Sequence, residues 1–258
     1  MQVNQSRAIQ KLRQNELCVG SFTFSPDAAH TEIMGRAGLD YVMIDLEHAP
    51  LSAMDVLGHV RAAKSIGITP FVRVRHNDPA DVGRILDLGA EGIMFPHVGL
   101  DPAATKAALS ALKYSPEGTR PSCTGVRAVD YGLTAFPEYV ERSNREVISI
   151  GLIEDQEVVD RIDQVLDEND LDIVIPGSGD LATSLGLHGQ HTHPLVIQSL
   201  ERIIAATKAY GRSKVGMYLT DPKSASRWRD QGVDFFLLSI DYRILANAYS
   251  AAVRDFAS

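Results

Sequence analysis

Apolar residues along the chain fall into short continuous runs, and between the runs they recur at the three- and four-residue spacing of amphipathic helices. The clearest run starts at Tyr41 and reads YVMIDLEHAP to Pro50. Its first residues run on without a polar face, so it reads as a strand, over 41–47, buried on both sides. Similar runs cover 19–24, 69–75, 92–98, 147–154, 171–175, 214–219 and 233–240. Helical patterns fill the gaps at 26–37, 52–65, 79–88 and 102–113, then up to 166, at 193–210 and at 222–230. A short amphipathic helix at 4–16 precedes the first strand, and another helix follows the last. Strands separated by helices at a repeat of roughly 25–30 residues pair in parallel through right-handed crossovers. Eight such units predict a closed α/β barrel: a single (β/α)8 TIM barrel with a short N-terminal helix, one domain over residues 1–258. An open doubly wound sheet more often carries a glycine-rich turn after its first strand, and here that turn reads FSPDAAH. Residues 114–134 form a long insertion containing Gly, Pro, Ser and Arg, and no linker divides the chain.

Composition narrows the partners. The 258 residues are 45% hydrophobic and 22% charged, with a net charge of −8 and a pI near 5.5. No long run of like charge occurs, which argues against nucleic acid and anionic membrane as partners. No apolar segment approaches the ~20 residues of a membrane span. The start, MQVNQSRAIQ, has no apolar signal core, so a cytoplasmic location is expected. Cys18 and Cys123 belong to no Cys-x-x-Cys pair and read as two unpaired thiols in a reducing compartment.

In a parallel barrel, reactive groups gather at the carboxyl ends of the strands. Those ends carry Asp45, Glu47 and His48 after the second strand and Arg73 in the third, with Arg75 and His76 beyond it. His97 follows Pro96 at the fourth, Glu154 and Asp155 end the fifth, and Asp180 and Asp241 follow the sixth and eighth. Each has a purely structural alternative. Asp45 could cap the next helix, His48 and His97 could be packed histidines, and Arg75 and His76 could be solvated. Asp155 and Asp241 stand where helix N-caps are expected. Glu154 and Asp180 end adjacent strands, whose axes lie ~5 Å apart. Two carboxylates that close repel unless a positive group lies between them, either Arg73 or a divalent cation. Oxygen-only ligation by two carboxylates is the pattern of Mg²⁺ or Mn²⁺ held jointly with substrate.

The turn before Asp180 is Pro176-Gly177-Ser178-Gly179. Its glycines let backbone N–H groups approach a ligand and Ser178 adds a hydroxyl, which suits a substrate carboxylate; a plain tight turn is the alternative. No lysine ends a strand, which counts against Schiff-base chemistry. The loops after strands seven and eight lack glycine, so a phosphate site there is not expected. His188, His191 and His193 lie in a polar loop and read as solvated.

Taken together, IDLEHAP at 44–50, FVRV at 71–74, ILDLGAEGIMFPHV at 85–98, KYSPEGTR at 113–120 and PGSGDLATSLG at 176–186 carry a family resemblance. They resemble the class II, metal-dependent 2-oxo acid aldolases of the hydroxy-oxo-heptanedioate aldolase type, in the aldolase/citrate lyase superfamily. The resemblance covers nearly the whole chain. It implies a carbon–carbon lyase acting on small molecules, a 2-oxo acid (pyruvate or a close relative) and an aldehyde, with Mg²⁺, Mn²⁺ or Co²⁺. It further implies His48 as the base, oriented by Asp45, and Arg73 as the group that polarises the pyruvate carbonyl. Glu154 and Asp180 fall on the metal carboxylates, with Arg73, Ser178 and Gly179 at the substrate. Asp87 is placed near a subunit contact of a homo-oligomer such as a hexamer, and the apolar face of YRILANAYSAAVRDF suits a neighbour. One departure stands out: the glutamine usual two residues before the metal glutamate is Leu152 here, which cannot hydrogen-bond. The insertion RPSCTGVR also differs. Two other readings therefore stay open, a citrate-synthase-like condensing enzyme on the same scaffold and a non-catalytic carboxylate-binding protein.

Overall fold

The computed structural model describes residues 6–257. Eight parallel strands close on themselves in sequence order, a (β/α)8 TIM barrel. They are β1 (Cys18–Thr23), β2 (Tyr41–Asp45), β3 (Thr69–Arg73), β4 (Gly92–Phe95), β5 (Ile148–Ile153), β6 (Ile173–Pro176), β7 (Lys214–Leu219) and β8 (Phe235–Ile240). The expected N-terminal helix is α1 (Arg7–Gln14); positions 4 and 5 of that expectation lie outside the described residues. α1 buries Ala8 and Ile9, and the Ala8 N–H donates to Thr69 Oγ1 at 2.9 Å, which seats the helix at the amino end of β3.

The strands lack a polar face because both of their faces are buried. Tyr41, Met43, Phe71, Met94, Ile150, Leu152, Ile175 and Phe235 fill the barrel interior. Val42, Ile44, Val72, Ile93, Ile153 and Val174 pack against the helices. Inside, Tyr41 stacks on Phe235 with centroids 4.5 Å apart. Gly20 makes room for that ring, since a Cβ there would fall 2.3 Å from it.

The outer helices follow the expected alternation: α2 (Ala29–Arg36), α3 (Ala53–Ile66), α4 (Pro79–Asp87) and α5 (Pro102–Ser110). The insertion then holds a 3-10 turn at Arg127–Gly132, and beyond it comes a helix the sequence pattern did not reveal, α6 (Phe136–Glu146). Its mean hydropathy is low, and it packs chiefly through Tyr139 against Tyr114 and Val129. The helix expected up to 166 breaks at Arg161 into α7 (Gln156–Asp160) and α8 (Ile162–Glu168). A further short helix, α9 (Ser178–Ser184), starts inside the Pro-Gly-Ser-Gly turn. α10 (Pro194–Tyr210), α11 (Ala225–Arg229) and α12 (Asp241–Ala257) complete the ring. Among the described residues no helix is long and apolar enough to cross a membrane.

Candidate active site

Strand register assembles the charged centre. Asp45 and Arg73 are ladder partners across β2 and β3. Tyr41, Met43 and Phe71 alternate with them and face the barrel interior, so both charged side chains emerge inside its mouth. Arg73 Nε donates to Asp45 Oδ1 at 2.8 Å and Nη2 to Oδ2 at 2.7 Å. Nη1 lies 3.0 Å from Glu47 Oε2, and the guanidinium rests 4.5 Å above the centroid of Phe22. Both partners of the Asp45–Arg73 pair are buried. Burial works against the charge on Arg73, and the hydrogen bonds and charge of Asp45 more than offset it, so the guanidinium pKa is raised. Burial likewise raises the Glu47 carboxyl, against the pull of Arg73.

The expected contact between Asp45 and His48 is replaced by another. Both Asp45 oxygens serve Arg73, and Oδ1 also accepts the Glu47 N–H at 3.0 Å. Nor does Asp45 cap the next helix, because Ser52 does so in a capping box with Asp55. His48 is no packed core residue: its side chain is 55% exposed and Nε2 lies 3.5 Å from Glu47 Oε2. Glu47 thus bridges Arg73 and His48. Arg75, read from the sequence as solvated or reactive, is exposed and has a structural task besides. Its Nε donates to Leu46 O at 3.0 Å and its Nη2 to Leu51 O at 3.1 Å, clamping both ends of the loop that carries His48.

Glu154 continues the inward alternation of Ile150 and Leu152 just past the end of β5 and is buried. Its Oε1 accepts the His97 N–H at 2.9 Å. A Cβ on Gly177 would fall 2.5 Å from Glu154 Oε2, so glycine is what lets the end of β6 close over the carboxylate. Asp180 stands exposed in the first turn of α9, with half-buried Ser178 and exposed Gly179 beside it. Burial pushes Glu154 up to about 7, with the charges of Asp180 and Glu47 adding to it and His97 opposing. His97 is raised to about 9, first by its hydrogen bond to Asp155 and then by Glu154. Its Nδ1 lies 3.0 Å from Asp155 Oδ2 and 3.7 Å from Glu154 Oε1. The backbone of His97 has φ of 48°, a left-handed conformation that non-glycine residues adopt only at a cost. The sequence reading left His97 open between a strand-end reactive group and a packed rim histidine; its half-exposed ring and its carboxylate partners set it apart from a packed residue.

Asp155 occupies the N-cap position of α7 without a side-chain cap bond, its carboxylate being turned to His97. Asp241 ties the mouth together, accepting from Thr23 Oγ1 at 2.9 Å, Phe24 N at 3.0 Å and Ser25 N at 3.3 Å, with His30 Nδ1 at 2.9 Å. Leu152 packs inside the barrel with Ile150 and Ile175, an apolar contact where a hydrogen bond is usual in the aldolases resembled. His188 and His191 are exposed, and His193 Nδ1 accepts the Leu195 N–H at the start of α10.

Among the described residues, Arg73 forms its ion pairs with Asp45 and Glu47 and not with Glu154 or Asp180. The remaining carboxyls expected at a metal, Glu154 and Asp180, offer oxygen donors, and Glu154 is buried, resists ionisation and feels the charge of Asp180. That set suits a hard divalent cation, whose arrival would draw off the Glu154 proton. No three His, Cys, Asp or Glu side chains among the described residues form a metal cage.

Comparison with known proteins agrees with this architecture. Residues 19–248 match the HpcH/HpaI aldolase/citrate lyase profile. The chain is 32% identical over 248 residues to a pyruvate aldolase of Rhizobium etli, covering 96% of each. It superimposes on the crystal structure of a HpcH/HpaI aldolase/citrate lyase family protein from Burkholderia cenocepacia J2315 with a TM-score of 0.89, at 31% identity over 97% of this chain and 98% of that one. The citrate synthase SbnG follows with a TM-score of 0.84, at 28% identity over 97% and 98%. With both profile and identity extending over most of its length, this chain belongs to the HpcH/HpaI aldolase/citrate lyase family and is an enzyme of the carbon–carbon lyase class.

Proposed function

We propose that the enzyme is a divalent-metal-dependent aldolase that joins the enolate of pyruvate, or of a close 2-oxo acid, to an aldehyde, or cleaves the product of that union. The observation that carries this reading is the juxtaposition, in one barrel mouth, of a rigidly held guanidinium with a buried, hard-to-ionise glutamate. Glu154 and Asp180 would hold Mg²⁺, Mn²⁺ or Co²⁺, which supplies Lewis-acid polarisation of the 2-oxo acid.

In the cleavage direction His48 accepts the proton of the substrate 4-hydroxyl. The C4 oxygen becomes the aldehyde carbonyl as the C3–C4 bond breaks, and that electron pair passes to C3–C2 while negative charge develops on the C2 oxygen. Arg73 donates hydrogen bonds to that oxygen. Asp45 acts through Arg73, fixing its plane by two parallel bonds. Glu47 links the guanidinium to the base. Ser178 and Gly179, at the start of α9, are assigned to the substrate carboxylate. Return of a proton to C3 completes pyruvate. The exposed apolar side of α12, with Tyr242, Leu245, Tyr249 and Phe256, supports assembly as a homo-oligomer.

The test needs no knowledge of the aldehyde. Pyruvate in deuterated solvent should exchange its methyl protons with metal-loaded enzyme, lose that exchange on chelation, and regain it with Mg²⁺, Mn²⁺ or Co²⁺. Glu154→Gln and Asp180→Asn should each weaken metal binding, since an amide is a poorer ligand for a hard cation. Full-rate exchange by metal-free enzyme would refute the metal role. A second reading, a condensing enzyme making a citrate-like polycarboxylate, is favoured by Leu152 and by the likeness to a citrate synthase. A panel of aldehydes that all fail, with turnover appearing when a second 2-oxo acid is supplied as acceptor, would select it.

A further inference from the structure

The interior of a TIM barrel is filled in layers of four side chains drawn from alternate strands. Here the ladder runs from Arg73 through Met94, Ile150 and Ile173 to Lys214. Strand tilt in such a barrel shifts the level position by about one residue for each strand crossed. From Arg73 on β3, the residue at the same level is therefore Leu152 on β5 and Tyr218 on β7. On the other side Arg73 rests over Phe22 of β1, and the Phe22 and Tyr218 rings lie 6.1 Å apart. Phe22, Arg73, Leu152 and Tyr218 thus form one layer at the mouth, with Tyr218 across the barrel from Arg73.

Phe22 and Leu152 bring only carbon to this layer, so its hydroxyl comes from Tyr218. That side chain is half-buried and packs against the interior cluster. Burial raises the phenol pKa, with the charge of Arg243, a hydrogen bond from the Ser239 side chain and the charge of Arg73 opposing. At neutral pH the group is an uncharged hydroxyl that both donates and accepts. Ser239 is buried and has φ of 51°, a left-handed conformation that serine adopts only at a cost.

We propose that Tyr218 is a specificity-determining residue whose hydroxyl hydrogen-bonds an acceptor aldehyde that itself bears a hydroxyl. The assignment rests on the aldolase reading given above. The groups assigned there to the 2-oxo acid and its metal lie on β3, after β5 and on α9. The wall made by β7, β8 and β1 is left for the carbon chain of the acceptor. On that wall Phe22 offers a ring to carbon, and Tyr218 offers one polar atom. A site that hydrogen-bonds a substrate hydroxyl discriminates against the analogue lacking it, because its own polar group is then left unpaired.

Glycolaldehyde and propanal test this as a pair, since a hydroxyl in one takes the place of a methyl in the other. With pyruvate and metal-loaded enzyme, kcat/KM should favour glycolaldehyde. Tyr218→Phe should lower that preference by about fivefold or more, through glycolaldehyde, with propanal turnover kept within about twofold. Comparing the same two aldehydes in both enzymes cancels their different hydration in water. Tyr218→Leu, which also removes the ring, should shift the preference in the same direction. An unchanged preference in Tyr218→Phe would overturn the proposal, as would equal loss on both aldehydes. Loss of pyruvate methyl-proton exchange in Tyr218→Phe would also overturn it, moving the hydroxyl to the enolate half. Unaltered enzyme that exchanges those protons but uses neither aldehyde would sink the Tyr218 assignment and leave the enolate chemistry standing. Absence of exchange in the unaltered, metal-loaded enzyme would take both down.

Discussion

Replacing Asp45 by asparagine keeps the shape of the side chain and removes its charge. The wild-type carboxylate meets Arg73 through two bonds of 2.8 and 2.7 Å, in a site where Asp45 is wholly buried. The amide keeps one acceptor and turns an NH₂ group toward a guanidinium that can only donate. One charge-assisted bond, about 1.5–3 kcal/mol, is lost, and the other keeps the guanidinium's charge but loses the carboxylate's. Removing one partner of a buried pair costs about 3–5 kcal/mol. Glu47, 3.0 Å from Arg73, remains as a compensating charge, which places the expected loss near the lower end, about 3 kcal/mol. Urea unfolding at fixed protein concentration, with unchanged slope, reads it. Arg73→Met and the double variant close the cycle. With both charges gone no orphan ion remains, so the double variant should be more stable than the sum of the singles predicts by about 2 kcal/mol. Additivity within about 0.5 kcal/mol, or an Asp45→Asn loss below about 1 kcal/mol, would refute the reasoning.

Four other outcomes are expected. His48→Ala should lower turnover by about 10²–10⁴ with metal affinity intact, and near-normal turnover would move the proton transfer elsewhere. Arg75→Met should lower kcat more than it raises KM, because the loop bearing His48 loses both of its clamps; an unchanged kcat would show the clamp to be idle. Gly177→Ala should displace Glu154, weakening Mn²⁺ binding in titrations and costing about 1–3 kcal/mol of stability from overpacking. Buried His59, bonded to Thr31 and to Ser25 O, has a pKa lowered by burial. The unfolded chain therefore takes up that proton first, so the stability it confers is present above about pH 6.5 and is lost as pH falls below it. Thermal melts from pH 8 to 5 should show this slope, and His59→Gln should flatten it.

The barrel was legible because its strands are apolar on both faces and its helices keep an amphipathic period. The positions of Asp45, Arg73, Glu154 and Asp180 were legible for the same reason, since strand ends set where they fall. Their partners were not. Whether Asp45 faces Arg73 or His48 depends on the register of β2 against β3, which no local pattern encodes. Arg75 looked like any charged loop residue, because its contacts are to backbone carbonyls of another segment. α6 was hidden by its polar composition, and the break at Arg161 has no proline or glycine to announce it.

The ladder pairing of Asp45 with Arg73 has a bearing on how this barrel can change. A slip of β2 by one residue would swap its faces, sending Asp45 into the hydrocarbon layer now filled by Ile44 and Val72 and leaving Arg73 without its counter-charge. The groups assigned to chemistry thereby also discriminate against misaligned strands: a wrong alignment strands two ions at once. Loops around the rim can lengthen, shorten or trade residues without touching that alignment, and so new substrates are open to the scaffold. The offset between its second and third strands is not open in the same way, because altering it would unmake fold and centre together.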